Sequence, residues 1–261
     1  MQIKPKKSLG QNFLVDNNVL EKIVDCAKIE NNTAILEIGP GTGNLTEYLV
    51  KKNPKKIFVI EKDKYLVELL KKKFGNKINI FGEDFLSFSN SDLINENLTI
   101  FGNLPYNISS QILVKLIINK ENLKYQQIVF MFQKELADRI LCKQNSKNYG
   151  RLSILANWKF NIHKVLDIKP TSFRPIPKVK SSLLLFTPKK KIFKINNPEN
   201  LEYITRVFFN QRRKKIKKPI NILFQNKINL QNTLNLDLNL RPQNLSIETF
   251  LKIVNEYEKL I

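Results

Sequence analysis

Asn103, Leu104, Pro105 and Tyr106 follow the apolar run at 98–102 and together offer groups suited to one kind of chemistry. An amine on an aromatic ring is a poor nucleophile, because its lone pair is delocalised into the ring. Two acceptors that take its hydrogens favour a pyramidal nitrogen with a freer lone pair. The Asn103 side-chain oxygen and the Leu104 carbonyl can be those acceptors. Pro105 restricts its own φ and the conformation of Leu104, and Tyr106 offers a face to an extruded base. In isolation the same four residues also make a proline turn with a packed tyrosine.

Three further strand ends carry residues of ligand type. "EIGPGTGNLT" (37–46) sets Gly39, Gly41 and Gly43 between a predicted strand and a predicted helix. Glycines let backbone approach a ligand closely, and the helix N-terminus lies beside them. Alone, the loop is equally a tight strand–helix turn. Glu61 ends the next strand, 22 residues after Gly39, a spacing at which a carboxylate can accept from ribose hydroxyls. That leaves a dinucleotide or S-adenosylmethionine as the ligand class. The loop lacks the G-x-G-x-x-G form of dinucleotide sites and has the G-x-G-x-G form seen in Rossmann-like methyltransferases. Asp84 ends the third strand, placed to face an adenine amino group or else solvent. The single histidine, His163, sits in a predicted strand with no nucleophile motif, and Cys26 and Cys142 are far apart. No metal site is expected from so few His and Cys ligands, and reduced thiols in a cytoplasmic protein are.

These ends must be positioned by a sheet. Strands are predicted at 33–39, 56–61, 78–85, 98–106 and 127–133, with helices at 44–52, 64–74 and 109–119 between them. "KELADRILC" and "GRLSILANWKF" read as helices, and 163–168 and 181–188 as late strands. Repeated strand–helix units imply an α/β fold, a mostly parallel sheet with helices on both faces. From about Asn196 three helices follow without strands. The predicted organisation is a main domain over 1–195 and a small helical domain over 196–261. No segment has 18 consecutive apolar residues, so no membrane span is expected, and the charged N-terminus lacks the apolar run of a secretory signal.

The formal charge is +21, from 44 basic and 23 acidic residues. Residues 196–261 hold 11 basic and 6 acidic groups, so the main domain is basic too. Abundant Lys, Asn and Ile point to an AT-rich genome as one source of the excess. The remainder favours a polyanionic partner.

The N-x-P-Y element resembles the N/D-P-P-Y/F signature of methyltransferases that act on exocyclic amines. The order "SLGQNFLVD", "EIGPGTGNLT", "GNLPYNISS", "QKELADRI", "YGRLSILANW", "FRPIPKVKSSL" and "FFNQRRKK" resembles the ribosomal RNA adenine dimethyltransferase family from about Lys7 to about Lys218. The resemblance implies a Rossmann-like class I methyltransferase sheet with a small C-terminal helical domain that binds rRNA. It implies transfer of two methyls from S-adenosylmethionine to N6 of each of two adjacent adenosines near the 3′ end of small-subunit (16S) rRNA, in a 30S precursor. Asn12, Leu14, Gly39, Gly41, Glu61, Asp84 and Asn103 would contact the cofactor. Asn103, Leu104 and Pro105 would serve the target amine, with Tyr106 and Phe173 on either side of the flipped base. Lys4, Lys6 and Lys7, then Lys178 and Lys180, then Arg212, Arg213, Lys214, Lys215, Lys217 and Lys218 would meet RNA phosphates. A monomer is expected.

Erythromycin-resistance methylases share "QNF", the glycine loop and N-x-P-Y, and act on large-subunit (23S) rRNA. "FFNQRRKK" and "YGRLSILANW" resemble the small-subunit branch more. A non-catalytic RNA-binding assembly factor on the same fold would need the basic surface but not an intact site, and here every motif position is filled.

Overall fold

The computed structural model describes residues 5–6, 10–89, 93, 95–120, 122–225 and 230–261. Lys4 and Lys7 lie outside the described residues. The chain forms two compact units, one of 1–137 with 161–188, the other of 138–160 with 189–261.

The first unit is built on a seven-stranded sheet. Its strands are β2 (Ala34–Ile38), β3 (Lys56–Ile60), β4 (Asn79–Phe81), β5 (Asn97–Asn103), β6 (Lys124–Gln133), β7 (Phe160–Ile168) and β9 (Ser181–Pro188). They lie in the order β4-β3-β2-β5-β6-β9-β7. β4, β3, β2, β5 and β6 run parallel, and β9 pairs antiparallel with β6. The helices α2 (Asn44–Lys51), α3 (Lys64–Phe74) and α4 (Ser109–Ile118) supply crossovers, and α1 (Asn17–Asp25) precedes β2. Every residue of β2 is buried, as a central parallel strand covered on both faces requires. Full burial of each Ile or Leu contributes about 1.5–3 kcal/mol, so the sheet centre is the rigid base of this unit.

Two features fall outside the sequence expectation. The third strand is only Asn79–Phe81, so Asp84 sits on a loop rather than in a strand. A two-stranded ribbon pairs β1 (Phe13–Leu14) antiparallel with β8 (Phe173–Arg174). Asp16 fastens it further: its Oδ2 accepts from Ser172 Oγ at 2.8 Å, while Oδ1 accepts from Val19 N–H at the start of α1.

The second unit is helical, with α6 (Arg151–Lys159), α7 (Pro198–Asn210), α8 (Lys217–Phe224), α9 (Leu230–Leu234) and α10 (Ile247–Glu258); the unit boundary falls inside α5 (Lys134–Leu141). Phe208 meets Phe250 edge-on at 5.3 Å, and Glu258 accepts from the main-chain N–H groups of Asn196 and Asn197. The sequence suggests one cut near 190–196. The compact units are discontinuous instead, because α6 packs on α7 and α10. Among the described residues no helix is long and apolar enough to cross a membrane, and no three His, Cys, Asp or Glu side chains group as metal ligands.

Candidate active site

The chain reverses its direction of sheet growth between β2 and β5: β3 and β4 lie on one side of β2, β5 and β6 on the other. The carboxyl ends of strands at such a switch point leave a crevice. A cavity of about 230 Å³ occurs there. Asn12, Leu14, Gly39, Gly41, Glu61, Asp84, Asn103, Leu104, Pro105 and Tyr106 all line it.

The glycine loop leaves β2 in left-handed conformation, with φ of +69° at Gly39, +60° at Gly41 and +76° at Gly43. A Cβ at Gly39 would meet nothing within 4 Å, so its backbone faces open space. A Cβ at Gly41 would come within 3.0 Å of the Phe13 ring. The loop is fastened to the next strand end by Glu61, whose Oε2 accepts from Gly41 N–H at 3.1 Å. Its Oε1 accepts from Asp63 N–H at 2.9 Å. Burial raises the Glu61 carboxyl above the ordinary range against these hydrogen bonds.

Asp84 stands on its loop as an ion pair with Lys62 at 2.7 Å, and its Oδ1 accepts from Leu86 N–H at 3.0 Å. The hydrogen bond from Lys62 holds the Asp84 carboxyl below its ordinary value. Lys115 of α4 donates to the Phe88 carbonyl at 2.7 Å and lies over the Phe85 ring, which anchors this loop.

β5 ends at Asn103, before Pro105. The Asn103 Nδ2 donates to the Asn12 carbonyl at 3.1 Å. A carbonyl only accepts, so this contact assigns the amide and turns Oδ1 to the opposite side. The Leu104 side chain is buried, against Gly102, where a Cβ would meet Leu104 Cδ2 at 2.7 Å. Tyr106 is half-buried and its hydroxyl shares a 2.7 Å hydrogen bond with Ser181 Oγ, which fixes the ring.

Phe173 does not join this group. It is fully buried within the hydrophobic core of this unit, in the same cluster as Leu14, Ile168 and Leu183, and does not line the cavity. The pairing of β8 with β1 holds it there, in register with Leu14. Lys6 also has a partner within the fold: its ammonium pairs with the buried Asp63 carboxylate at 2.9 Å, while about half of its side chain stays exposed. Lys178 and Lys180 are exposed before β9. Arg213, Lys214 and Lys215 are exposed after α7; Lys215 donates to Asn239 Oδ1 at 2.8 Å, and Arg212 donates to the Lys147 carbonyl.

Several cavity residues escape the sequence reading. Glu37 is buried in β2, accepts from Thr46 Oγ1 at 2.6 Å and has its carboxyl pushed up to about 7 by burial. A lone acid in an otherwise apolar strand was its signal. Phe13, Phe85 and Gln11 also line the cavity. Gln11 stands inside "QNF" but shows its partner only in three dimensions. The assembled wall can hold an adenosine-like ligand and orient an amine beside it.

Residues 2–259 match the model of the family described as ribosomal RNA adenine dimethylase. The chain is 56% identical over 261 residues to the ribosomal RNA small subunit methyltransferase A of Pelagibacter ubique, covering all of this chain and 99% of the relative. Among solved structures it is similar to a dimethyladenosine transferase from Plasmodium falciparum, with TM-score 0.80, 29% identity and coverage of 94% of this chain and 97% of that one. It shares its fold with the 23S rRNA methyltransferase ErmE at TM-score 0.66 and 20% identity, covering 94% and 99% of the two chains.

Proposed function

The chain belongs to the ribosomal RNA adenine dimethylase family, and from that membership we infer that it is an S-adenosylmethionine-dependent N6,N6-dimethyltransferase of small-subunit (16S) rRNA. It acts on two adjacent adenosines near the 3′ end of that RNA, in a 30S precursor in the cytoplasm, as a monomer. The observation that carries the site assignment is the convergence of Gly39, Glu61, Asp84 and Asn103–Tyr106 on one cavity at the switch point of the sheet.

The cavity fits the cofactor. At Gly39 a side chain would fill the open space that a ligand needs, and two acidic groups, Glu37 and Glu61, suit a ligand that carries a cationic sulfonium. Glu61 would accept from the ribose, Asp84 would meet the adenine edge, and Asn12, Leu14, Gly39 and Gly41 would form the remaining wall. Bound there, S-adenosylmethionine supplies a methyl group activated for in-line displacement.

This chain's residues prepare the other partner. The target adenosine leaves its stack, at a cost of a few kcal/mol, and its base rests on Tyr106, where stacking returns about 1–3 kcal/mol. In the first transfer Asn103 Oδ1 and the Leu104 carbonyl accept the two N6 hydrogens and bias the nitrogen toward a pyramidal form; in the second, one of them accepts the hydrogen that remains. The proton is released to water after transfer. Catalysis rests on positioning and a preorganised polar site, with no dedicated general base. Lys178 and Lys180, and the Arg212–Lys215 and Lys217–Lys218 stretches of the helical unit, meet rRNA phosphates.

A methylation assay on 30S particles lacking the modification, run beside free 23S rRNA, tests this reading. Dimethyladenosine on 30S alone is expected. Transfer to 23S rRNA alone would sink it.

A further inference from the structure

Gln11 bridges two groups that need opposite partners. Its Oε1 accepts from Lys6 N–H at 2.8 Å, and its Nε2 donates to Asp63 Oδ2 at 3.2 Å. The amide offers an acceptor and a donor from one planar group, so both contacts fix its orientation. The Asp63 carboxylate is nearly buried, with 2% of its side chain exposed, yet fully engaged. Its Oδ1 takes Lys6 Nζ at 2.9 Å and Tyr65 N–H at 3.0 Å, the latter at the start of α3. Burial pushes this carboxyl up, but the hydrogen bonds from Lys6, Gln11 and Tyr65 outweigh that and hold it below its ordinary value.

The network reaches two strand ends of the cavity, those of β3 and β5. The Asp63 main-chain N–H donates to Glu61 Oε1 at 2.9 Å. One peptide bond beyond Gln11, the Asn12 carbonyl accepts from Asn103 Nδ2 at 3.1 Å. On the other side of Gln11, Gly10 takes φ +62° and lies so near Asn107 that a Cβ would come within 3.2 Å of its Oδ1. The segment that leads into the Asn12 carbonyl is therefore held at both Gly10 and Gln11. If it moved, the Asn103 amide could turn over and present donors to the target amine, which has only hydrogens to offer it.

We propose that Gln11 and Asp63 are positioning residues for methyl transfer: they hold the Asn12 carbonyl where it turns the Asn103 amide, with Oδ1 toward the incoming adenine amine. The proposal rests on the functional reading above. It gives Lys6 a place in the same network.

The test compares wild type, Gln11→Glu and the double variant Gln11→Glu/Asp63→Asn. The single change sets two carboxylates against each other. The double change restores a donor facing an acceptor, with polarity reversed, and Asn still serves as the cap of α3. Measured are single-turnover kcat on unmethylated 30S particles, S-adenosylmethionine affinity by calorimetry, and Tm. Gln11→Glu is expected to lose about 10- to 100-fold in kcat, as a small misplacement of a reacting group does, with cofactor affinity largely kept. The double variant is expected to recover most of that loss. Unchanged kcat in the single variant, a loss confined to cofactor affinity, or no recovery in the double variant overturns the proposal. If Gln11→Glu fails to fold, Gln11→Met takes its place: it should show the same kcat loss with no rescue by Asp63→Asn, and full activity or rescue there overturns the proposal. A wild-type chain that transfers no methyl to rRNA would instead defeat the functional reading, and the proposal with it.

Discussion

The Asn103 side-chain amide donates to the Asn12 main-chain carbonyl at 3.1 Å, across 91 positions of sequence. The N-terminal segment thereby fixes which way the Asn103 amide is turned. Asn103→Ala removes both that hydrogen bond and one acceptor for the target amine. It is expected to lower kcat by about 10²–10³-fold, the scale of losing one preorganised polar group. The Tm should hardly move, because Asn103 ends its strand rather than filling the core. Steady-state methylation of 30S particles, with a thermal melt alongside, checks both halves.

Tyr106 carries two separable roles. Its hydroxyl is tied to Ser181 Oγ at 2.7 Å, and its ring lines the cavity. Tyr106→Phe keeps the ring and gives up one hydrogen bond, worth about 0.5–1.5 kcal/mol. Tyr106→Ala gives up the stacking surface as well, a further loss of about 1–3 kcal/mol in holding the base. The ratio of kcat/KM values for RNA should therefore separate Phe from Ala clearly. Equal defects would mean the ring does not meet the base.

Glu37 predicts a pH dependence. Burial pushes its carboxyl up to about 7; the Thr46 hydrogen bond opposes this, Glu61 adds to it, and Lys73 opposes it. A carboxyl raised in the native state keeps its proton while the unfolded chain, ionising near the ordinary 4.5, gives its proton up. Stability contributed by this group is thus present below about 4.5, is lost as pH rises toward about 7, and is constant above. Glu37→Gln retains an acceptor for Thr46 without the ionisable proton. Its Tm should exceed that of wild type at pH 8, with the gap narrowing toward pH 4.5. A gap that ignores pH, measured by calorimetry across that range, would contradict the assignment.

Much of the sheet is legible because its strands are buried on both faces. β2 and β6 read as apolar runs, and their helices as amphipathic repeats between glycine and polar breaks. The site is legible where one residue type answers one chemical need at one strand end, as at Gly39, Glu61 and Asn103. It is not legible where the partner is remote. Gln11 and Lys6 find Asp63 only after folding, so their contacts with it leave no mark in the sequence. Phe173 stands on a proline-rich stretch where local sequence leaves core and site equally open; its two-residue pairing with β1 buries it, and so short a ribbon leaves no periodic trace. The helical unit takes in 138–160, which local composition does not separate from the sheet unit.

The basic segment after α7 gives a prediction in salt. Arg212 is engaged with the Lys147 carbonyl and Lys215 with Asn239, whereas Arg213 and Lys214 are exposed. The double variant Arg213→Ala/Lys214→Ala should bind rRNA more weakly. The slope of log affinity against log salt should shrink by about 0.7–0.9 for each phosphate that is no longer neutralised. Binding titrations at several salt concentrations read this directly, and an unchanged slope would remove these two residues from the RNA surface.

The central claim is that the Asn103–Tyr106 strand end prepares an rRNA adenine amine for double methylation. Its most direct measurement is mass spectrometry of small-subunit rRNA from a strain deleted for this protein, complemented with wild type or with Asn103→Ala. The account predicts loss of N6,N6-dimethyladenosine on deletion, full return with wild type, and no return with Asn103→Ala at equal protein level. Dimethyladenosine that survives deletion, or that Asn103→Ala restores in full, would contradict it.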